Sequence, residues 1–254
     1  MSYESVRIKN EGGIISITLD RPPLNVLTIT MMEELIQAFK WAQQEAGQLI
    51  LLDAAGKAFS AGVDVADHTA DKVESMIDVF DRLFMTMFET EKPIVCAVNG
   101  AALGGGCELP IFCDIVVASE KAKFGQPEIA VGVFPPIACY MLPKLLSWPR
   151  AMELLLSGEV IGASKAEQIG LANVVLPAEN FAEGVKNYLE KFLDKSPVVL
   201  AMTKKAALSG LNKGFAEGIK EIDHIYLKEL MITEDAKEGL ASFMEKRKPV
   251  WQGK

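Results

Sequence analysis

Two stretches of this chain, Leu49-Ile50-Leu51-Leu52 and Pro93-Ile94-Val95-Cys96-Ala97-Val98, are apolar at every position. A strand with one wet face alternates apolar and polar residues. One that is apolar throughout must be covered on both faces, as in parallel sheets sandwiched between helices. Helical spacing surrounds these runs. Over residues 30–46 apolar side chains recur at Met31, Leu35, Ala38, Phe39 and Ala42, which predicts a helix with Thr30 as N-cap and Glu33 completing a capping box. A second helix is expected over about residues 72–89. Val6-Arg7-Ile8 and Ile14–Leu19 read as strands around a Glu11-Gly12-Gly13 turn, and Ile115-Val116-Val117-Ala118 as a further strand. Arg21-Pro22-Pro23 ends the second strand, because neither proline can donate to a sheet ladder. Strand, loop and helix alternate, which defines the α/β class. Beyond about Ser196-Pro197 the β signals stop, and residues 198–208, 215–230 and 236–246 have helical, amphipathic spacing. The expected organisation is an α/β core over residues 1–195 and a helical C-terminal region over residues 196–254.

Bulk properties narrow the partners. With 254 residues, half of them hydrophobic, the chain can bury one substantial core. A formal net charge of −8 argues against a nucleic-acid binder, which needs a basic face. A small anionic ligand is still compatible, since a few cations and backbone N–H groups can hold one. Cys96, Cys107, Cys113 and Cys139 contain no CxxC pair and read as small buried hydrophobes in a reducing cytosol. The start, MSYESVRIKN, has neither the basic nor the apolar region of a signal peptide. No apolar run approaches the ~20 residues that span a bilayer. The expectation is a cytoplasmic protein with no membrane partner.

Three segments carry chemistry. In Asn99-Gly100-Ala101-Ala102-Leu103-Gly104-Gly105-Gly106-Cys107-Glu108-Leu109, three consecutive glycines mark a close backbone approach. The helix that follows offers free N–H groups at the positive end of its dipole, suited to developing negative charge. Glu108, three residues past Gly105, can face the same place; by itself the segment equally describes a tight helix–sheet contact. Gly56-Lys57-Ala58-Phe59-Ser60-Ala61-Gly62-Val63-Asp64 also follows a buried strand, and the Val63 N–H is a second donor candidate, although such a loop is more often plain surface. Phe124-Gly125-Gln126-Pro127-Glu128 puts a carboxylate in a turn; alone, Glu128 would usually be a solvated acid. His68 and His224, the two histidines, fall in no nucleophile or metal pattern. No HExxH, GxSxG or GxxxxGK[ST] occurs, so carboxylates are the acid–base candidates and no metal ligands are assigned.

Taken in order and spacing, Ser60-Ala61-Gly62-Val63-Asp64, Gly104-Gly105-Gly106-Cys107-Glu108 and Phe124-Gly125-Gln126-Pro127-Glu128 resemble the enoyl-CoA hydratase (crotonase) family over essentially the whole chain. Asp20-Arg21-Pro22 with Asn25, Cys113-Asp114-Ile115 and Glu245-Lys246-Arg247-Lys248 extend the match. The resemblance implies a spiral of ββα units, with C-terminal helices packing into homotrimers or homohexamers. It implies an acyl-CoA substrate, an oxyanion hole made by the N–H groups of Val63 and Gly105, and Glu108 and Glu128 as the acid–base pair. Ala61, Asp64, Phe134, Pro135 and Lys246 fall at positions implied to contact substrate or CoA, Lys246 from a neighbouring subunit; the bland alternative for Lys246 is a solvated helix end. No cofactor is implied, because CoA arrives as part of the substrate.

The chemistry agrees. Water adding to a double bond conjugated with a thioester must lose a proton while the enolate carbon gains one, and two carboxyls of opposite protonation do both. Each oxyanion donor contributes about 3–4 kcal/mol in other enzymes. Keeping both glutamates favours a hydro-lyase over an isomerase, a thioester hydrolase or an idle CoA-binding relative. A side role in binding RNA fits the acidic balance poorly. One stretch departs from the short-chain hydratases, which continue into a glycine-rich segment ending in Thr-Gln-Arg-Leu; here it reads Gly132-Val133-Phe134-Pro135-Pro136-Ile137-Ala138-Cys139-Tyr140. Two prolines stiffen the backbone beside the expected acyl pocket. This variant resembles the hydratases of anaerobic aromatic degradation, which act on cyclohexa-1,5-diene-1-carbonyl-CoA. The alternative is a short-chain 2-enoyl-CoA hydratase.

Overall fold

The chain opens with an antiparallel hairpin of β1 (Val6–Glu11) and β2 (Ile14–Leu19). The computed structural model describes residues 3–254, so the first two residues of the N-terminal stretch read above lie outside it. Helix α1 (Ile29–Gln44) leads to β3 (Leu49–Ala54), parallel to β2. Helix α2 (Val73–Glu89) leads to β4 (Ile94–Val98), parallel to β3. Next come β5 (Ala101–Leu103), α3 (Gly105–Phe112), β6 (Ile115–Ser119) and β7 (Lys123–Gly125). Then follow α4 (Pro136–Leu145), α5 (Trp148–Ser157), β8 (Val160–Gly162), α6 (Ala163–Gln168), β9 (Val174–Leu176) and α7 (Phe181–Leu193).

The main sheet runs β1-β2-β3-β4-β6-β9, parallel except for its first pair, and β5-β7-β8 form a second, small sheet. The second sheet explains the spiral. After β4 the chain turns at Asn99-Gly100 into β5, and after β6 it turns into β7, which lies parallel to β5. After β3 the same role falls to a single bridge between Ser60 and Ala102. Each repeat is therefore a long strand, a short strand or bridge, and a helix, the expected series of ββα units. Three-residue strands are too short to show alternation, which is why the small sheet is invisible in the residue pattern.

The all-apolar strands are covered twice, as their composition demands. Ile50, Leu52, Cys96 and Val98 face a core shared with Phe39 of α1 and Phe80 and Phe84 of α2. Leu49, Val95, Ala97 and Val117 face Val185 and Leu189 of α7 on the other side. Each fully buried large side chain here contributes about 1.5–3 kcal/mol relative to exposure.

Beyond Ser196 lie α8 (Pro197–Gly210), α9 (Phe215–His224), a π turn over Ile225–Leu230, and α10 (Glu234–Glu245). Three local expectations need correction. Helix α1 is capped by Thr28, whose Oγ1 accepts from Met31 N–H at 3.2 Å, and not by Thr30. Leu27 is held extended by its bridge to Val63, so the chain is free to turn helical earlier, and Glu33 pairs with Arg82 of α2 instead of closing a box. The single helix expected over 215–230 is interrupted: Met231 N–H bonds back to Tyr226 O, a π-type bond that widens the turn. Helix α10 ends at Glu245, and Lys246 takes a left-handed conformation (φ 56°) as its C-cap. No helix among the described residues is long and apolar enough to cross a membrane.

Candidate active site

Asn25 anchors the first wall of the site. It is 1% exposed, and its Oδ1 accepts from Arg21 N–H at 2.8 Å. Its Nδ2 donates to Ala55 O (2.9 Å) and Ala58 O (3.0 Å). The Ser60 hydroxyl donates to the Asn25 carbonyl at 2.7 Å. The loop after β3 is thereby fixed to the turn before α1. Two residues on, Leu27 N–H donates to Gly62 O (2.8 Å) and Leu27 O accepts from Asp64 N–H (2.9 Å). In such a parallel bridge the intervening residue turns its own N–H to the opposite edge. The Val63 N–H accordingly meets no acceptor among the described residues.

The start of α3 lies along that edge. Gly105 is its first residue, so its N–H has no intrahelical partner. A Cβ on Gly62 would stand 3.1 Å from Leu103 O and 3.8 Å from Gly105 N, and one on Gly105 would stand 2.7 Å from Val63 Cγ2. Only glycine lets the two backbones approach this closely. Gly104 precedes them with φ 53° and ψ −136°, a conformation open in practice only to glycine. A Cβ there would lie 2.7 Å from Glu128 Oε1.

Glu108, in the first turn of α3, is 1% exposed. Its Oε1 accepts from Ala138 N–H at 2.7 Å. Burial pushes its carboxyl up to about 8; the charges of Glu128 and Asp81 add to the rise, and the N–H groups of Ala138 and Ile137 work against it. Glu128, in the 3₁₀ turn Pro127–Val131, is half-buried. Burial raises its carboxyl as well, while its own backbone N–H and the charge of His68 pull the other way. With Glu108 buried beside the charge of Glu128 and held up to about 8, the carboxyl pair retains a proton into the neutral range.

Of the residues singled out in the sequence, Val63, Gly105, Glu108 and Glu128 come together at one place. Ala61 and Asp64 flank Val63: Ala61 N–H donates to Leu24 O, and Asp64 Oδ1 caps the next turn by accepting from Ala66 N–H. Pro135 is buried and caps α4, whereas Phe134 stands 68% exposed beside it. Lys246 is exposed at the end of α10, and no side-chain bond joins it to the carboxyl pair among the described residues.

Four participants were missed. Gln126, 2% exposed, in its satisfied amide orientation donates to both Glu128 oxygens and to Gly104 O, each at 3.3 Å; its place inside the Phe124–Glu128 segment was the available signal. The Ile137 and Ala138 N–H groups were signalled by Pro136, which occupies the first turn of α4, where proline marks a helix start with free donors beyond it. His68, set aside in the sequence, has Nδ1 3.0 Å from Asp64 O and its charge within reach of Glu128; nothing in its local pattern announced this.

Two free N–H groups beside a carboxyl pair, on an α/β spiral, suit one class of chemistry, in which a developing oxyanion is held while protons move. Comparison with known proteins makes the class specific. The family model for enoyl-CoA hydratase/isomerase matches residues 9–254. A probable enoyl-CoA hydratase of Rhizobium meliloti (strain 1021) is 37% identical over 252 residues, covering 98% of each chain. A cyclohexa-1,5-dienecarbonyl-CoA hydratase of Thauera aromatica is 33% identical over 250 residues, 98% of this chain and 96% of the relative. The crystal structure of an enoyl-CoA hydratase from Bacillus anthracis superposes with a TM-score of 0.93 at 28% identity, over 99% of this chain and all of the other. This chain belongs to the enoyl-CoA hydratase/isomerase family and is a hydro-lyase of the enoyl-CoA hydratase type.

Proposed function

We propose that the protein adds water across a 2,3 double bond conjugated to a CoA thioester, with cyclohexa-1,5-diene-1-carbonyl-CoA as its preferred substrate. The observation that carries the hydration chemistry is the buried Glu108, held near pKa 8 opposite Glu128 and beside the free N–H groups of Val63 and Gly105. With the thioester oxygen between those two donors, electron density leaving the double bond collects on that oxygen. The ionised member of the carboxyl pair takes a proton from water as its oxygen bonds to the β-carbon. The protonated member gives a proton to the α-carbon as the enolate collapses. Water is consumed, one C–O and one C–H bond form, and the pair again carries one proton. No redox step occurs, so the chain's own groups suffice and CoA enters only as part of the substrate.

The preference for a ring rests on the segment after Glu128. Pro135 is buried and Pro136 begins α4, so this wall has little freedom to mould itself to a bending alkyl chain, and Phe134 adds a flat apolar face at its edge. The Thauera aromatica relative carries the matching name. A linear short-chain substrate is the second reading, favoured by the 33% identity, over 98% of each chain, to a crotonyl-CoA hydratase of Syntrophomonas wolfei. Turnover of cyclohexa-1,5-diene-1-carbonyl-CoA and crotonyl-CoA by the purified protein, with products resolved by chromatography, separates them. Preference for the cyclic diene supports the ring; preference for crotonyl-CoA removes it and leaves the acid–base chemistry standing.

The proposal extends to assembly. The C-terminal helices of residues 196–254 bear Phe215, Phe243 and Met244, each 80% exposed or more. We assign this face to packing between copies in a trimer or hexamer, with Lys246 at its edge meeting the CoA phosphates of a neighbouring subunit. Four cysteines with no disulfide among them suit a reducing cytoplasm.

A further inference from the structure

We infer that the first turn of α4 forms a wall of the acyl pocket, and that the Cys139 side chain on that turn contacts the acyl group beside the reacting carbons and helps to select it. The placement begins with the backbone. Ala138 N–H donates to Glu108 Oε1 at 2.7 Å, so this turn lies directly against a reacting carboxyl. Ala138 and, one turn on, Leu142 point inward at 0% and 1% exposure. Cys139 is the next residue around the helix, about 100° away, and it is exposed. The other thiols are withdrawn: Cys96 and Cys107 are buried, and Cys113, partly buried, donates to Leu109 O at 3.2 Å.

Electrostatics agrees with that placement. The Cys139 thiol is raised by burial and then by Glu108 and Glu128 together, so it lies within reach of both carboxyls. The β-carbon of an enoyl thioester is an electrophile toward thiolates, and a thiol kept protonated beside it can touch the acyl group without adding to it. A small, polarisable side chain at this position leaves room for the substrate; a larger one takes that room.

The inference rests on the hydratase reading of the site, and its test uses unreactive thioesters so that the two can fail separately. The intact protein is alkylated with iodoacetamide, and the Cys139 peptide is quantified by mass spectrometry with no addition, with free CoA, with butyryl-CoA or with benzoyl-CoA. A thioester present at ten times its dissociation constant should slow Cys139 alkylation about tenfold, and free CoA should protect much less. Equal rates with and without bound thioester, or equal protection by free CoA, would overturn the inference even if the protein hydrates enoyl-CoA. Protection by a thioester in a protein that hydrates nothing would overturn the hydratase reading and leave Cys139 in place. As a second arm, Cys139→Ser should keep the ratio of kcat/KM between cyclic and linear substrates, and Cys139→Leu should shift it about tenfold or more. An unchanged ratio in a folded Cys139→Leu protein would count against a contact with the acyl group.

Discussion

At the scale of single residues, the position of Glu108 has a thermodynamic consequence that can be measured without substrate. Its carboxyl sits near 8 in the fold against an ordinary 4.5, so between those pH values the native state binds protons that the unfolded chain has released. The stability tied to the protonated form is complete below about pH 4.5 and is lost as pH rises through about 8, amounting to on the order of 4–5 kcal/mol. Glu108→Gln keeps an acceptor for Ala138 N–H and removes the charge. It should melt close to the native protein at pH 5 and on the order of 10 °C higher at pH 9; equal melting temperatures at pH 9 would contradict the buried, proton-holding carboxyl. Gly104 offers a second test. Alanine there is strained at φ 53° and drives its Cβ to 2.7 Å from Glu128 Oε1. Gly104→Ala should cost about 1–3 kcal/mol of stability and at least about a hundredfold in kcat/KM, read by thermal melts and steady-state kinetics. The glutamates and glycines were legible in the sequence by their motifs. Gln126 and the Ala138 N–H were only hinted at, by the Phe124–Glu128 segment and by Pro136, and His68 not at all, because their roles depend on which distant segment folds against them.

At the scale of elements, legibility followed length and periodicity. Strands β3 and β4 stood out because every residue in them is apolar, and α1 and α2 because their apolar spacing runs for four turns or more. The cap of α1 was misplaced because two threonines stand two residues apart, and the choice between them is made by the distant bridge from Leu27 to Val63. The short strands β5, β7 and β8 carry three residues each and no period, although they fix the angle at which each repeat meets the next. The element whose loss should matter most is the turn held by Asn25. Asn25→Ala leaves the buried carbonyl of Ala58 unpaired and frees the part-buried carbonyl of Ala55 and N–H of Arg21, which solvent partly satisfies, for a total cost of about 2–4 kcal/mol. It also frees the loop that aims Val63 N–H. The variant should melt roughly 5–15 °C lower and lose kcat/KM while remaining folded; an unchanged rate would show that this turn does not set the oxyanion donors.

At the scale of the whole molecule, no strand lies beyond Leu176 among the described residues, and the chain from Pro197 to Glu245 is mainly helical. What the helices pack against is not encoded within one chain. Phe243 and Met244 stay 82% and 80% exposed at the end of α10, apolar surface of a kind that marks an interface. Replacing both with Glu should shift the protein toward monomer mass in light scattering; an unchanged mass would move the contact elsewhere. The paired-carboxyl hydration itself is tested most directly by Glu128→Gln, assayed in parallel for crotonyl-CoA and cyclohexa-1,5-diene-1-carbonyl-CoA turnover and for binding of butyryl-CoA. The account predicts that binding stays within a few-fold of the native protein while turnover of the preferred substrate falls by about 10²–10⁴; turnover that survives the substitution intact would contradict a mechanism in which Glu128 moves a proton.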